Sequence, residues 1–355
     1  MRYHYLDFAR GLLMSLGVVI HSAQVYSLEP WRVHSEENSL MFNHIINIIH
    51  LFRMPSFYVI SGFFAMMLYQ RYSLKNFYLN RLIRLGVPLF FCGLFLNSIN
   101  HYLSYGNAAK GLSAFDLSYW LGGGWLGQLW FLANLIIYIV FLALLMNYFK
   151  EAVSKISYLK VPSISIFILI PLVLFLTLRI AWRLPTPPYG DAWIFITTTN
   201  FIFYLPFFLL GVIFFVNQTA FKEFMDSVLL AFVGLIIYLT LYYVNLENSV
   251  YVYLKEISSY LCLVCFIVLM LKLFNCYFNR NSNLIRSISD SSYTVYLVHP
   301  PILLIIASFL IETSLNIYVQ FSILVVSVWF LSYMVHVLLV RKFKIINFLL
   351  NGKYS

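Results

Sequence analysis

The apolar segment RGLLMSLGVVIHSAQVY, residues 10–26, carries an arginine at one end and a histidine near its middle. In a helix that starts at a membrane surface, His21 lies roughly 16 Å above Arg10, near the middle of an apolar core about 30 Å thick. The spacing returns the chain to nearly the same azimuth, so both side chains share one face with Met14 and Gly17. Guanidinium groups bind phosphates, and an imidazole exchanges a proton near neutral pH. The pattern predicts one elongated site with an anion-binding end and a general base.

Three further apolar segments carry polar side chains at depths where such groups are costly. Counting along the predicted helices places Ser61, Asn134 and His299 in the same middle layer as His21. These side chains would supply proton-sharing and oxyanion-stabilising groups. The alternative interpretation is a set of ordinary interhelical hydrogen bonds, worth about 0.6–2 kcal/mol each.

His50 and Arg53 lie in the same apolar segment as Ser61. Counting up from Arg71 places Arg53 in the outer leaflet. A buried guanidinium costs at least a few kcal/mol, so arginines inside membranes commonly mark a functional pathway. We therefore expect Arg53 and His50 to bind a substrate, or Arg53 to stabilise an oxyanion.

Arg81 and Arg84 stand three residues apart in RYSLKNFYLNRLIRLGVP, residues 71–88. Residues at this spacing face the same way on a helix, and guanidinium pairs bind phosphates bidentately. With Arg10 on the same membrane face, they predict a site for an anionic cofactor that carries phosphates. The alternative is ordinary cytoplasmic positive charge that attracts anionic lipids, and the spacing alone does not choose between the two.

Aromatic residues gather in the connections on the opposite face. An interfacial aromatic belt explains most of them. Flat rings beside carboxylates would also suit a sugar, and on that basis Trp125 and Asp191 are predicted to bind a substrate. The set consists of Trp31, Tyr119, Trp120, Trp125, Trp182, Tyr189, Asp191 and Trp193.

The elements that must position these residues are membrane helices. The chain of 355 residues is 62% hydrophobic and only 10% charged, whereas a soluble domain is about 25% charged. Runs of roughly 20 apolar residues predict an all-α polytopic membrane protein with about ten transmembrane helices. The spans are expected near residues 11–28, 43–69, 86–104, 127–148, 162–181, 199–216, 228–246, 252–274, 291–311 and 316–340.

Charge between the spans predicts their orientation. Most of the 23 Lys and Arg residues fall in segments that share a side with the N-terminus, so both termini are predicted to be cytoplasmic. This distribution explains the net charge of +10 without a nucleic-acid partner. The first span lacks a small-residue cleavage site and is interpreted as a retained helix. Residues 1–355 are expected to form a single integral-membrane domain.

Cysteines offer no second site. Cys262 and Cys265 form a CxxC, but the surrounding run SSYLCLVCFIVLML is typical of a membrane helix. They are interpreted as small buried hydrophobic residues rather than redox or metal-binding groups. No metal is predicted.

Five stretches, in order along the chain, resemble the acyltransferase 3 family of polytopic membrane O-acyltransferases that act on surface glycans. YLDFARGLLMSLGVVIH resembles the opening signature, with Arg10 and His21 matching the family's arginine and histidine. RMPSFYVISGFF resembles the second-helix signature, and RLIRLGVP the RxxR motif, formed here by Arg81 and Arg84. LWFLANLIIY (129–138) and SYTVYLVHPPIL (292–303) resemble two further stretches.

The resemblance implies transfer of an acyl group from cytoplasmic acyl-CoA, usually acetyl-CoA, to a hydroxyl of an extracytoplasmic glycan such as lipopolysaccharide O-antigen. The membrane would be the bacterial inner membrane. Arg10, Arg81 and Arg84 would hold the CoA phosphates, and His21 would act as general base or carry the acyl group. Arg53, Ser61 or Asn134 would stabilise the oxyanion. His299 would share the proton or serve packing.

Alternatives stay open at this point. One alternative function is O-succinyl transfer, because similar proteins succinylate periplasmic glucans. A second is glycan transport or export, in which intramembrane polar residues line a permeation path. The absence of an evident inverted repeat disfavours the transporter. The chain is expected to be the membrane-only form, which leaves open whether it transfers the acyl group directly or hands it to another protein. Expected partners are the lipid bilayer and a surface or lipid-linked glycan, and the chain could also form a homo-oligomer.

Overall fold

The computed structural model describes residues 3–29, 31–104, 116–183, 196, 198–244, 248–280 and 282–353. The described chain is built from helices, as its long apolar runs predict. They are α1 (His4–Gln24), α2 (Leu40–Arg71), α3 (Leu74–Phe91), α4 (Asn97–Ser104), α5 (Leu117–Leu121), α6 (Trp130–Tyr148), α7 (Lys150–Ile156), α8 (Ser163–Ala181), α9 (Thr198–Val216), α10 (Gln218–Asp226), α11 (Val228–Tyr243), α12 (Ser249–Phe278), α13 (Asn283–Leu310), α14 (Ile317–Val335) and α15 (Lys344–Asn351). A π-helical turn at Cys92–Leu96 joins α3 to α4, and another at His336–Val340 extends α14.

Nine helical segments of the described chain are long and apolar enough to cross a membrane. One of them is Leu74–Ser104, in which α3, the π-helical turn and α4 form a continuous path. The span predicted at 228–246 differs, because α11 has only 16 residues and meets α10 at an angle of 57°. Taken together, α10 and α11 satisfy the same length and apolarity requirement as one broken span. The prediction of an all-α polytopic membrane protein is confirmed.

The centre of the bundle is formed by α1, α2, α9 and α13. α1 packs along both α13 and α2, while α2 packs along α9. The close approach of α2 and α9 depends on two glycines. A Cβ at Gly62 would lie 1.9 Å from the backbone oxygen of Phe208, and a Cβ at Gly211 would lie 1.9 Å from the backbone oxygen of Val59. Small residues of this kind let membrane helices approach closely. This contact fixes the position of the helix that carries Arg53.

The two ends of the described chain lie at the same end of the bundle. Lys353, just beyond α15, lines the same cavity as Arg10 near the start of α1. Both ends lie on one side only if the chain crosses the membrane an even number of times. Nine spans are therefore one too few, and the broken span α10–α11 supplies the tenth crossing among the described helices. This arrangement agrees with termini that share a compartment; that the compartment is the cytoplasm stays a prediction.

Candidate functional site

A cavity of about 180 Å³ opens at the end of the bundle where α1 and α15 meet. Its wall is formed by side chains from α1, α2, α3, α6 and α13 and by the end of the α15 segment. We call it the basic cavity, because four of its lining residues are cationic: Arg10, Arg81, Arg84 and Lys353. The three arginines predicted to bind phosphates are therefore brought together.

The arginines of the basic cavity act on one another electrostatically. Arg81 lies within range of the charges of both Arg84 and Arg10. Arg10 forms an ion pair with Asp7 at 3.7 Å, and its guanidinium lies 5.5 Å from the ring centre of Phe64. Gathering like charges is unfavourable by itself, so the arrangement suits a ligand that brings several negative charges.

The basic cavity leads inward to a second, much smaller cavity. Met14, Phe57 and Phe131 line both. The rings of Phe57 and Phe131 meet edge to face, with centroids 5.3 Å apart. Beyond them, the small cavity touches Arg53 and Tyr296. An apolar constriction, formed by Met14, Phe57 and Phe131, thus stands between the basic cavity and the polar layer that contains Arg53.

Arg53 reaches across from α2 to α1. It is 6% exposed, and its Nε donates a hydrogen bond of 2.9 Å to the backbone oxygen of Leu13. A Cβ on Gly17 would lie 3.0 Å from its Nη2, so the glycine leaves room for the guanidinium. Along α1, the guanidinium therefore lies between the levels of Arg10 and His21; its position in the outer leaflet stays a prediction. Within the described chain, no carboxylate forms an ion pair with it.

His21 and His299 form a stacked pair across the contact between α1 and α13. Their ring centroids are 5.4 Å apart and their planes differ by 19°. His299 is fully buried, and its Nδ1 lies 2.7 Å and 3.1 Å from the backbone oxygens of Tyr296 and Val295. A carbonyl oxygen only accepts, so Nδ1 carries the proton. Nε2 has no hydrogen-bond partner among the described residues.

The tautomer of His21 is fixed in the same way. Its Nδ1 lies 2.7 Å from Oε1 of Gln24, and an amide oxygen only accepts. The proton therefore resides on Nδ1, and Nε2 is the basic nitrogen. Trp31 also stacks on this imidazole, with ring centroids 5.5 Å apart. The site thus holds two imidazoles whose Nε2 atoms are placed to accept protons, as general-base chemistry requires.

Sequence reasoning missed two residues that contact the histidines. Gln24 follows His21 by three positions, and Tyr296 precedes His299 by three. Residues at that spacing are neighbours on a helix surface, so a search for polar residues one turn from each histidine would have found both. The sequence places Trp31 with the outer aromatic residues, whereas its stacking on His21 depends on the path of the loop after α1.

The other predicted site residues lie around the basic cavity and the histidine pair. Ser61 lines the basic cavity. Asn134 is fully buried, and its amide lies beside the Tyr58 hydroxyl without a well-formed hydrogen bond. His50 is exposed, one helical turn before Arg53.

The predicted sugar contacts have less support in the site geometry. Trp125 is 7% exposed, its ring stacks on Phe90 at 6.1 Å, and its backbone oxygen accepts a hydrogen bond from Asn97. Asp191 lies outside the described residues, as do Tyr189 and Trp193. Among the described residues, no group of three or more His, Cys, Asp or Glu side chains is arranged to hold a metal ion.

The fold defines a polytopic helical membrane protein with a basic cavity at one end of the bundle and a stacked histidine pair further along α1. The profile of the acyltransferase domain family matches residues 3–339. The chain belongs to this family, the acyltransferase 3 family, as the five stretches of sequence predict.

Curated relatives are similar to part of the chain. "Glucans biosynthesis protein C" of Escherichia coli K12 is 31% identical over 232 residues, and the protein of the same name from Escherichia coli O1:K1 is similar to the same extent. The matched region covers 61% of this chain, and the chain spans 58% of the length of these relatives. No solved structure matches the chain significantly.

Proposed function

We propose that this protein is a membrane O-acyltransferase that uses a cytoplasmic acyl-CoA, with acetyl-CoA as the donor. The acceptor is a hydroxyl of a glycan on the far side of a bacterial inner membrane. One observation carries the proposal: a single face of α1 contributes Arg10 to the basic cavity and His21 to the histidine pair. An elongated donor with phosphates at one end and a thioester at the other matches that layout.

Donor binding begins in the basic cavity in this scheme. The guanidinium groups of Arg10, Arg81 and Arg84 bind the phosphates of CoA by charge-assisted hydrogen bonds. The pantetheine arm follows the apolar wall past Met14 and Phe131 toward the histidines. Movement of the constriction is needed for the thioester to pass, and aromatic side chains can supply it by changing rotamer.

Acyl transfer then takes place at the histidine pair. The acceptor oxygen attacks the thioester carbonyl carbon while Nε2 of His21 removes the hydroxyl proton. The new C–O bond forms, the C–S bond breaks, and the departing thiolate takes the proton from the imidazolium to give free CoA. The guanidinium of Arg53 stabilises the oxyanion of the tetrahedral intermediate, where the low dielectric strengthens the interaction.

A second candidate is O-succinyl transfer to a glucan. The name of the relatives assigns those proteins to glucan biosynthesis, which favours a glucan as acceptor. Arg53 has no carboxylate partner among the described residues, so it could instead bind the free carboxylate of a succinyl group. We expect Arg53→Gln to lower transfer from both donors about equally if it stabilises the oxyanion. Selective loss with succinyl-CoA would indicate the carboxylate role.

The proposal is tested with purified protein in proteoliposomes. Labelled acetyl-CoA or succinyl-CoA is supplied on one side and a glucan or O-antigen acceptor on the other, and labelled glycan is measured by mass spectrometry. Labelled product that depends on both substrates supports acyl transfer. Glycan flux without any labelled product would favour the transporter and overturn the proposal.

A further inference from the structure

The basic cavity contains a fourth cation that the arginine motifs do not account for. Lys353 lines it together with Arg10, Arg81 and Arg84, and Asn351 contributes to the same wall. Both residues lie beyond residue 339, where the match to the family profile ends. The α15 segment therefore adds two residues to the cavity wall that lie outside the region matched by the family profile.

The α15 segment is held firmly against the helix that carries the RxxR motif. Gly352 adopts a left-handed conformation with φ of 59°, and a Cβ there would stand 2.5 Å from the Cα of Arg84 and from the backbone oxygen of Ile83. Its backbone N–H donates to Phe348 at 2.8 Å, which caps α15. The residue before Lys353 is thus in backbone contact with α3.

A buried polar cluster anchors the same segment to α13, the helix that carries His299. The Thr294 hydroxyl lies 2.9 Å from Nδ1 of His336 and 3.3 Å from Oδ1 of Asn351. Asn351 also donates to Asn347 at 3.0 Å. Thr294, His336 and Asn351 are all buried, so these hydrogen bonds are shielded from water. Lys353 therefore follows an anchored helix end.

We infer that Lys353 is a fourth phosphate-binding residue and that α15 completes the donor site by presenting it in the cavity that Arg81 and Arg84 also line. The inference rests on the proposed use of acyl-CoA. CoA carries a pyrophosphate and a separate 3′-phosphate, so it offers more negative charge than three arginines neutralise. Lys353 lies at the cavity mouth, where partial desolvation and the positive charges of Arg84 and Arg10 lower its pKa, opposed by the carboxylate of Asp290. An anion bound between these cations would relieve the repulsion among them.

The test compares Lys353→Met with Lys353→Arg and with the control Lys344→Met, which removes the same charge from the exposed start of α15. We expect Lys353→Met to raise the KM for acetyl-CoA roughly five- to tenfold with little change in kcat, the effect being moderated by the solvent at the mouth. Lys353→Arg and Lys344→Met should keep the wild-type KM. Thermal stabilisation by free coenzyme A should weaken in Lys353→Met alone, which gives a readout independent of acyl transfer.

The outcomes separate this inference from the proposed function. A wild-type protein that neither binds coenzyme A nor transfers an acyl group contradicts the proposed function. A wild-type protein that does both, with a Lys353→Met variant whose KM and stabilisation by coenzyme A are unchanged, contradicts only the role of Lys353. An equal rise in KM for Lys344→Met would show a general effect of surface charge and would also overturn the inference.

Discussion

Hydrogen bonds at Nδ1 decide which nitrogen of each histidine is basic. Gln24 holds the Nδ1 proton of His21, and backbone oxygens of α13 hold that of His299. Each imidazole therefore presents Nε2 as a proton acceptor, and the other nitrogen is occupied. The chemistry of the site thus depends on hydrogen-bond acceptors that need never touch a substrate.

Gln24→Leu tests this dependence. The variant removes the acceptor for the His21 Nδ1 proton, so we expect kcat to fall about 10- to 100-fold, less than the loss of the base itself would cause. The KM for the acyl donor should stay the same, because the basic cavity is untouched. Gln24→Glu, which keeps an acceptor oxygen at this position, should retain more activity than Gln24→Leu. Equal kcat in Gln24→Leu and the wild type would show that the hydrogen bond does not matter.

The sequence predicts contacts within one helix better than contacts between helices. Arg10 and His21 share a face because helical geometry fixes their azimuth and rise. The stacking of His21 on His299 depends on the register of α1 against α13, which spacing along either helix does not reveal. The contacts of Arg53 with Leu13 and Gly17 likewise depend on the register of α2 against α1.

At the scale of elements, the site depends on how closely α2 and α9 pack. Gly62 and Gly211 bring the two backbones into contact, and α2 carries Arg53, Phe57 and Ser61. A side chain at either glycine would push the helices apart or tilt α2. The positions of the site residues on α2 therefore depend on the contact between α2 and α9.

Gly211→Ala is expected to destabilise the protein by about 1–3 kcal/mol, because the added methyl overlaps the Val59 backbone oxygen and overpacking of this kind costs that much. Thermal unfolding in detergent measures the effect. Gly86→Ala is the matched control, since a Cβ at that position meets no atom within 4 Å, and alanine is the better helix former. We expect Gly86→Ala to be neutral or slightly stabilising. A Gly211→Ala variant as stable as the wild type would mean that α2 and α9 are not in backbone contact.

At the scale of the whole molecule, the orientation in the membrane decides which side supplies the donor. The two ends of the described chain meet at the basic cavity, and the excess of Lys and Arg between spans predicts that this side is cytoplasmic. Nine of the spans could be predicted from composition alone, and the orientation stays a prediction from charge. The participation of α15 in the cavity could not, because a short helix after the last span carries no signal for where it docks.

A native cysteine reports this orientation. Cys276, near the end of α12, is exposed, whereas Cys92, Cys262 and Cys265 are buried. A membrane-impermeant maleimide should label Cys276 in inverted inner-membrane vesicles and leave it unlabelled in intact spheroplasts. Cys276→Ser should abolish the labelling. Labelling in spheroplasts but not in inverted vesicles would reverse the predicted topology.

The most direct test of the account is the rate of acyl transfer by His21→Ala, measured with labelled acyl-CoA in proteoliposomes. Membrane insertion and stabilisation by coenzyme A serve as controls that the variant is folded and binds its donor. We predict a loss of roughly 10²- to 10⁴-fold in kcat, the usual contribution of a general base, with stabilisation by coenzyme A retained. A folded His21→Ala protein that transfers the acyl group at the wild-type rate would contradict the account.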